Sequence, residues 1–118
     1  MIYHLCSQAE WTQSVAAGQH TAGGMPDGFI HFSTREQVLE SARKHFAGRA
    51  DLMLVAVDPA RLGLALKWEP SRGGAEFPHL YGPLDPALVA WAVPLPVGPE
   101  GPRFPDATPG VDTTTPIR

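Results

Sequence analysis

The sequence predicts an α+β fold in which two helices pack on a mixed, largely antiparallel sheet. Two capping-box patterns, Ser7 with Glu10 and Ser33 with Glu36, each indicate the start of a helix. Short runs of β-prone residues precede both helices and dominate the second half of the chain. The order strand, helix, strand, helix and then mainly strands favours this class.

Size and composition indicate one globular domain. The chain has 118 residues, 43% of them hydrophobic and 18% charged, with a net charge of −3. No basic patch stands out, so nucleic acid is not an expected partner. The single cysteine, Cys6, excludes an internal disulfide and a multi-cysteine zinc site. A signal peptide and an apolar run of roughly 18 residues are both missing, which predicts a cytoplasmic protein that does not enter membranes.

The first strand–helix pair is predicted from residues 2–17. Residues 2–5 alternate in the manner of a short strand. The helix that follows Ser7 is expected to bury Trp11 and Val15, which lie four residues apart. Gly18 is expected to end it.

The second pair follows a glycine-rich loop at residues 18–28. A strand over residues 29–32 places Phe29 and His31 on one face. The capping pattern then predicts a helix over residues 34–46, and Gly48 is its expected end.

The second half of the chain is predicted to contain strands and turns. The apolar run at residues 52–57 favours a strand covered on both faces, and residues 59–62 favour one helical turn. Further strands are expected at residues 64–69, 77–81 and 88–95. Pro78 lacks a backbone N–H, which predicts an edge strand or a bulge for residues 77–81. The domain is predicted to span residues 1–96, and the Pro-rich residues 97–118 to form an extended or disordered tail.

Three histidines fall on predicted strands or at their ends: His4, His31 and His79. Such imidazoles suit acid–base chemistry, and three together could also bind zinc with an open position. His20 and His45 fall in a loop and on a helix and are interpreted as surface residues.

Two further segments carry candidate binding residues. Near the Gly73-Gly74 loop, Glu69 could act as a base or contact a ribose, and Arg72 could bind a phosphate. In the segment 77–82, Tyr81 suits stacking on a planar ring. The expected helix start at Ser33 and Thr34 is a candidate anion site.

These motifs, in this order, resemble a family of small bacterial proteins, the domain of unknown function 952 family. The motifs are Ile2-Tyr3-His4-Leu5, Asp27-Gly28-Phe29-Ile30-His31-Phe32-Ser33-Thr34, Trp68-Glu69-x-Ser71-Arg72-Gly73-Gly74 and Phe77-Pro78-His79-Leu80-Tyr81-Gly82. The resemblance covers residues 1–96. It implies a fold similar to the ADP-ribosyltransferases, which bind NAD in a cleft between two small sheets.

The resemblance also suggests roles for the three histidines. His4 looks like the histidine with which those enzymes contact the ribose, and His31 stands where they carry an aromatic residue. His79 stands where they carry a glutamate that stabilises positive charge on the ribose. A neutral imidazole cannot do this, so standard ADP-ribosyl transfer to protein is not expected. Related enzymes without that glutamate move a 2′-phosphate from RNA onto NAD.

The leading hypothesis is therefore a cleft for NAD or another nucleotide, in an enzyme or a former enzyme. His4, His31 and His79 are the predicted catalytic residues. The predicted cofactor-binding residues are Ser33, Thr34, Trp68, Glu69, Arg72 and Tyr81. The alternatives are a non-catalytic module for a phosphorylated small molecule or a nucleic-acid end, and a histidine metal site.

Overall fold

Two three-stranded antiparallel sheets, a two-stranded hairpin and two α-helices make up the described part of the fold, which agrees with the predicted α+β class. The computed structural model describes residues 1–21, 28–46, 48–70, 74–98 and 101–105. Its elements are β1 (Ile2–Ser7), α1 (Gln8–Ala17), β2 (Ile30–His31), α2 (Val38–His45), β3 (Leu52–Val57), β4 (Leu66–Pro70), β5 (Glu76–Leu80), β6 (Val89–Pro94), β7 (Val97–Gly98) and β8 (Gly101–Pro102). The strand orders are β1-β3-β6 and β2-β5-β4, and every pairing between described strands is antiparallel.

Strand β3 is the centre of the fold, and its predicted bounds are confirmed. Its side chains alternate between two apolar cores, one on each face of the first sheet. Val55 and Val57 lie in the core that also contains Trp11. Leu54 and Ala56 lie in the core under α2. A continuous apolar run is what a strand with both faces covered requires.

Helix α1 begins and ends where the sequence predicts. The Ser7 hydroxyl accepts a hydrogen bond from the Glu10 N–H, and the Glu10 carboxylate accepts one from the Ser7 N–H. Gly18 ends the helix with φ +78°. The predicted buried pair is only half right: Trp11 is buried, but Val15 is 55% exposed.

The predicted start of α2 is wrong by four residues, because Ser33 does not cap it. The Ser33 backbone exchanges two hydrogen bonds with Tyr3, and this keeps Ser33 extended. A turn follows, in which the Gln37 side chain accepts a hydrogen bond from the Thr34 N–H. The helix itself begins at Val38.

The second sheet corrects the prediction of an edge strand at Pro78, since β5 lies between β2 and β4. The Pro78 carbonyl accepts a hydrogen bond from the Phe32 N–H. The N–H and C=O of one residue point to the same side of a strand, so the donor that proline lacks would also face Phe32. The missing bond coincides with the end of β2, which has only two residues.

Three other segments differ from their predicted forms. Gly63–Ala65 forms a 3-10 turn before β4, and Pro86–Leu88 forms another before β6. Beyond Pro96, β7 and β8 form a hairpin, and the Phe104 ring packs edge-on against Tyr3 at 5.3 Å. Ordered packing thus continues beyond the predicted domain limit. The division into domain and tail stays a prediction, because residues 106–118 lie outside the described part.

No helix among the described residues is long and apolar enough to cross a membrane. Arg72, a predicted phosphate ligand, lies outside the described residues, as does the side chain of His45.

Candidate functional site: two histidine clusters

The first cluster lies on the outward face of the second sheet. We call it the outer cluster; its members are Phe29, His31, Glu69, His79 and Tyr81. His31 and His79 are cross-strand partners on β2 and β5, and their rings are 5.1 Å apart. The Phe29 ring stacks on His79 with centroids 4.1 Å apart and also contacts Tyr81 at 5.0 Å. The cluster therefore combines aromatic surface with ionisable groups.

A carboxylate holds the polar end of the outer cluster. Glu69 Oε1 accepts hydrogen bonds from His79 Nδ1 at 2.8 Å and from the Tyr81 hydroxyl at 2.7 Å. These two donors, His79 first, lower the pKa of the Glu69 carboxyl. Since Nδ1 donates to the carboxylate, the lone pair of a neutral His79 lies on Nε2.

His79 Nε2 is buried and has no hydrogen-bond partner among the residues that the structure describes. The residue is only 4% exposed although it lies on the outward face of the sheet, and the Phe29 ring covers it. A buried polar atom without a partner costs about 1–3 kcal/mol. With Nδ1 bound to Glu69, Nε2 is the ring atom of His79 that can accept a hydrogen bond from a ligand.

The second cluster lies inside the protein, and we call it the inner cluster: His4, Cys6, Ser14 and His20. His4 and Cys6 lie two apart on β1 and so point to the same face. Ser14 projects from α1, and His20 follows the end of that helix. All four residues are buried. One ligand-capable atom each from His4, Cys6 and His20 lie within 4.8 Å of one another.

A continuous series of hydrogen-bond contacts crosses the inner cluster. Ser14 Oγ lies 2.9 Å from the Glu10 carbonyl oxygen and 2.6 Å from His20 Nδ1. His20 Nε2 lies 3.0 Å from His4 Nε2. His4 Nδ1 then donates to the carbonyl oxygen of His31 at 2.7 Å. Both ends of the series are backbone carbonyls, which can only accept.

Burial controls the protonation of the inner cluster. It lowers the pKa of His4 to about 4, although the hydrogen bond to the His31 carbonyl acts in the opposite direction. Burial also lowers the pKa of His20 and raises the pKa of the Cys6 thiol to about 12. The low-dielectric interior disfavours the charged form of each group.

The three predicted catalytic histidines do not lie in a single group. The rings of His31 and His79 meet in the outer cluster, whereas the His4 ring packs against His20 at 4.9 Å. His31 connects the outer cluster to the inner cluster, because its backbone carbonyl accepts a hydrogen bond from His4. The structure therefore does not bring together the three histidines from which the sequence suggested a metal site: His4, His31 and His79.

The predicted cofactor-binding residues divide in the same way. Glu69 and Tyr81 lie in the outer cluster. Trp68 lies between Lys67 and Glu69 on β4 and so points to the opposite face. Ser33 is buried and contacts Ser41 at 3.2 Å, and Thr34 lies in the turn before α2.

Sequence reasoning missed His20, which was interpreted as a surface residue but is only 5% exposed. Two backbone hydrogen bonds to Leu84 turn this loop position inward. Its ring contacts Trp11 at 5.4 Å. No local pattern signals this, because the partner lies more than sixty positions away.

A shallow groove of about 240 Å³ lies elsewhere, between α2 and the β7–β8 hairpin. Ala42, Phe46, Leu52 and Val97 are among its lining residues. Neither histidine cluster borders it, so the groove and the ionisable groups are separate features.

Comparison with known proteins decides the family. Residues 5–92 match the family described as Protein of unknown function (DUF952). The chain belongs to the DUF952 family. No curated protein matches the chain.

Solved structures similar to this chain include those of protein CC0527 from Caulobacter crescentus. Its crystal structure has 47% sequence identity and a TM-score of 0.80, over 86% of this chain and 92% of that chain. Its solution NMR structure has 45% identity and a TM-score of 0.77, over 86% and 89% of the two chains. This similarity supports the fold. The resemblance to ADP-ribosyltransferases and the binding of NAD remain predictions.

Proposed function

We propose that the outer cluster binds the planar ring and the sugar of a nucleotide, with His79 as a general base that Glu69 orients. NAD is the first candidate, because the sequence resembles a fold class that binds it. The observation that carries the proposal is the buried Nε2 of His79. It has no partner among the described residues, and the Glu69 carboxylate fixes the ring from its other nitrogen.

This pairing of carboxylate and imidazole suits proton transfer. A carboxylate that accepts the Nδ1–H selects the tautomer with its lone pair on Nε2 and stabilises the imidazolium that forms later. A ribose hydroxyl is a fitting donor to Nε2, and its hydrogen bond would remove the cost of the unpartnered atom.

The surroundings fit the other parts of a nucleotide. Phe29 and Tyr81 offer aromatic faces for a base or a nicotinamide ring. Lys67 is the cross-strand partner of His79 and lies on the same face of the sheet, where it can attract a phosphate. Nε2 is covered, so a ligand reaches it after a neighbouring side chain moves. Phe29, which is only partly buried and stacks on the His79 ring, is one such neighbour.

The position of Glu69 also bears on chemistry at the ribose. Transfer from NAD develops positive charge on the sugar, and a nearby carboxylate stabilises it. The sequence offers His79, not glutamate, at the expected strand position. The contact between Glu69 and His79 supplies a carboxylate from the neighbouring strand, and this supports a ribose-directed reaction.

Side-chain NMR tests the binding step. We expect a titration with NAD, ADP-ribose or AMP to shift the ring signals of His79, Tyr81 and Phe29. Glu69→Gln removes a charge-assisted hydrogen bond and should weaken binding about tenfold to a hundredfold. Trp68→Phe changes an aromatic residue on the opposite face of the same sheet and should leave the affinity unchanged.

The titration can contradict the proposal or lead to a test of catalysis. If the outer-cluster signals stay in place at millimolar concentrations of all three ligands, the proposal is wrong. If they shift, release of nicotinamide from NAD separates an enzyme from a non-catalytic binding module, because only the enzyme forms product.

A further inference from the structure

We propose that His4, Cys6 and His20 bind a soft metal ion, zinc or copper(I), through the two Nε2 atoms and the Cys6 sulfur. The site lies in the inner cluster and shares none of its ligands with the outer cluster. Imidazole nitrogen and thiolate sulfur are the donors that these ions prefer.

Counting protons in the inner cluster exposes a conflict that a metal ion resolves. Four contacts join the Glu10 carbonyl, Ser14, His20, His4 and the His31 carbonyl. A serine and two neutral imidazoles supply only three protons for them. A fourth proton would put a charge on one of two buried rings, and a buried charge without a counter-charge is costly.

The contact that lacks a proton is the one between the two imidazoles if the other three contacts each have one. Ser14 then donates to the Glu10 carbonyl, His4 Nδ1 to the His31 carbonyl and His20 Nδ1 to Ser14. The two Nε2 lone pairs face each other at 3.0 Å. A cation placed against both lone pairs converts this repulsion into two coordinate bonds.

The geometry and the supporting contacts match those of a metal site. Zinc–nitrogen bonds of 2.0–2.1 Å in a tetrahedron put the two nitrogens about 3.3 Å apart, close to the distance seen here. Ligand histidines usually donate their other ring N–H to a carbonyl or a polar side chain. His4 does so to the His31 carbonyl, and His20 is placed to do so to Ser14.

Cys6 supplies the third donor from the same face of β1, and water would take the fourth position of a tetrahedral ion. Its sulfur must lose a proton on binding, which a metal ion drives directly. Met53 is the cross-strand partner of Cys6 and packs against the same core, so its side chain lies on the same face of the sheet as the thiol. A thioether neighbour is compatible with copper(I) as well as zinc.

Cobalt(II) provides the first test, as a spectroscopic substitute for zinc in the full-length protein. We expect a thiolate-to-cobalt charge-transfer band, intense visible bands typical of a tetrahedral ion, and displacement of the cobalt by zinc. Cys6→Ala should abolish the charge-transfer band, and His20→Gln should lower zinc affinity by about a hundredfold or more. His31→Gln keeps the carbonyl that binds His4 and should change affinity less than about threefold.

Two further measurements keep the test decisive. Ser14→Ala retains all three ligands but removes the partner of His20, so it should cost about tenfold to a hundredfold in affinity while the protein stays folded. Elemental analysis of protein purified without chelators separates zinc from copper. The proposal fails if no charge-transfer band forms, or if Cys6→Ala or Ser14→Ala binds zinc as tightly as the unmodified protein.

Discussion

The Nδ1 atom of His4 lies 2.7 Å from the backbone carbonyl oxygen of His31. Since Phe32 points its backbone groups toward β5, the carbonyl of His31 points the other way, to the open edge of β2. The His4 side chain thus donates a hydrogen bond to a backbone carbonyl at this edge. One residue, His31, thus contributes its backbone to the inner cluster and its ring to the outer cluster.

The buried imidazole of His4 makes the stability of the metal-free protein depend on pH. Its pKa falls from 6.5 when unfolded to about 4 when folded, so the unfolded chain binds the proton first as pH drops. The contribution of His4 to the free energy of unfolding is fully present above pH 6.5. It falls as the pH drops to about 4, by roughly 3 kcal/mol in total, since one pKa unit corresponds to about 1.4 kcal/mol. His20, Glu10 and the outer residue His31 face this ring, and burial also lowers the pKa of His20, which adds to the loss.

Urea unfolding with a chelator present, at several pH values between 7.5 and 5, measures this dependence. Most carboxylates stay ionised over that interval, so the slope reports the histidines. Leu64→Ala, at a residue that is 95% exposed and lies in neither histidine cluster, is the control and should keep the slope. A free energy of unfolding that stays constant from pH 7 to 5 would contradict the assignment.

The capping box of α1 predicts a local loss of stability. Ser7→Ala removes the hydroxyl that accepts the Glu10 N–H and should lower the free energy of unfolding by about 1 kcal/mol. Thr12→Ala changes an exposed residue of the same helix and should not destabilise the protein. Equal midpoints of urea unfolding for Ser7→Ala and the parent protein would show that the cap contributes nothing.

Two leucines of opposite exposure test the central role of β3. Leu54 is fully buried, so Leu54→Ala should cost about 2–5 kcal/mol through lost burial and the cavity left behind. Leu64 is 95% exposed, and Leu64→Ala should change stability by less than about 0.5 kcal/mol. Thermal and urea unfolding measure the loss in the free energy of unfolding for each variant. A similar loss for Leu54→Ala and Leu64→Ala would contradict the central position of β3 in the core.

Phe104 tests whether the segment beyond Pro96 belongs to the folded unit. Its ring packs against Tyr3 and Trp91, and the Arg35 guanidinium lies 3.8 Å from its centroid. Phe104→Ala should destabilise the protein by about 1–3 kcal/mol. Val97→Ala, at a half-exposed position of the same segment, should have little effect. If Phe104→Ala leaves the free energy of unfolding unchanged, the segment beyond Pro96 does not contribute to the stability of the folded unit.

The hydrogen bonds to Glu69 predict a change in its acidity. Tyr81→Phe removes one of the two donors that lower the pKa of this carboxyl, so that pKa should rise toward its usual value. Carbon-13 NMR of the glutamate side chains across an acid titration measures the shift. Trp68→Phe, on the opposite face, serves as the comparison, and an equal effect in both variants would show that Tyr81 does not act through its hydroxyl.

The sequence by itself determined those elements whose signals lie within a few residues. Ser7 and Glu10 cap α1, Gly18 ends it, and the apolar run at β3 has both its bounds correctly predicted. Alternation along residues 29–32 also placed Phe29 and His31 together, and their rings are 4.7 Å apart. The resemblance to the DUF952 family came from motif order and is confirmed.

The tertiary structure decided everything that depends on a distant strand. Ser33 stays extended because Tyr3 pairs with it, and His20 turns inward because Leu84 does. Glu69 meets His79 only because β4 and β5 pair in one particular register. Local propensities carry no information about such partners, since the free energy of each contact depends on the packing of the whole chain.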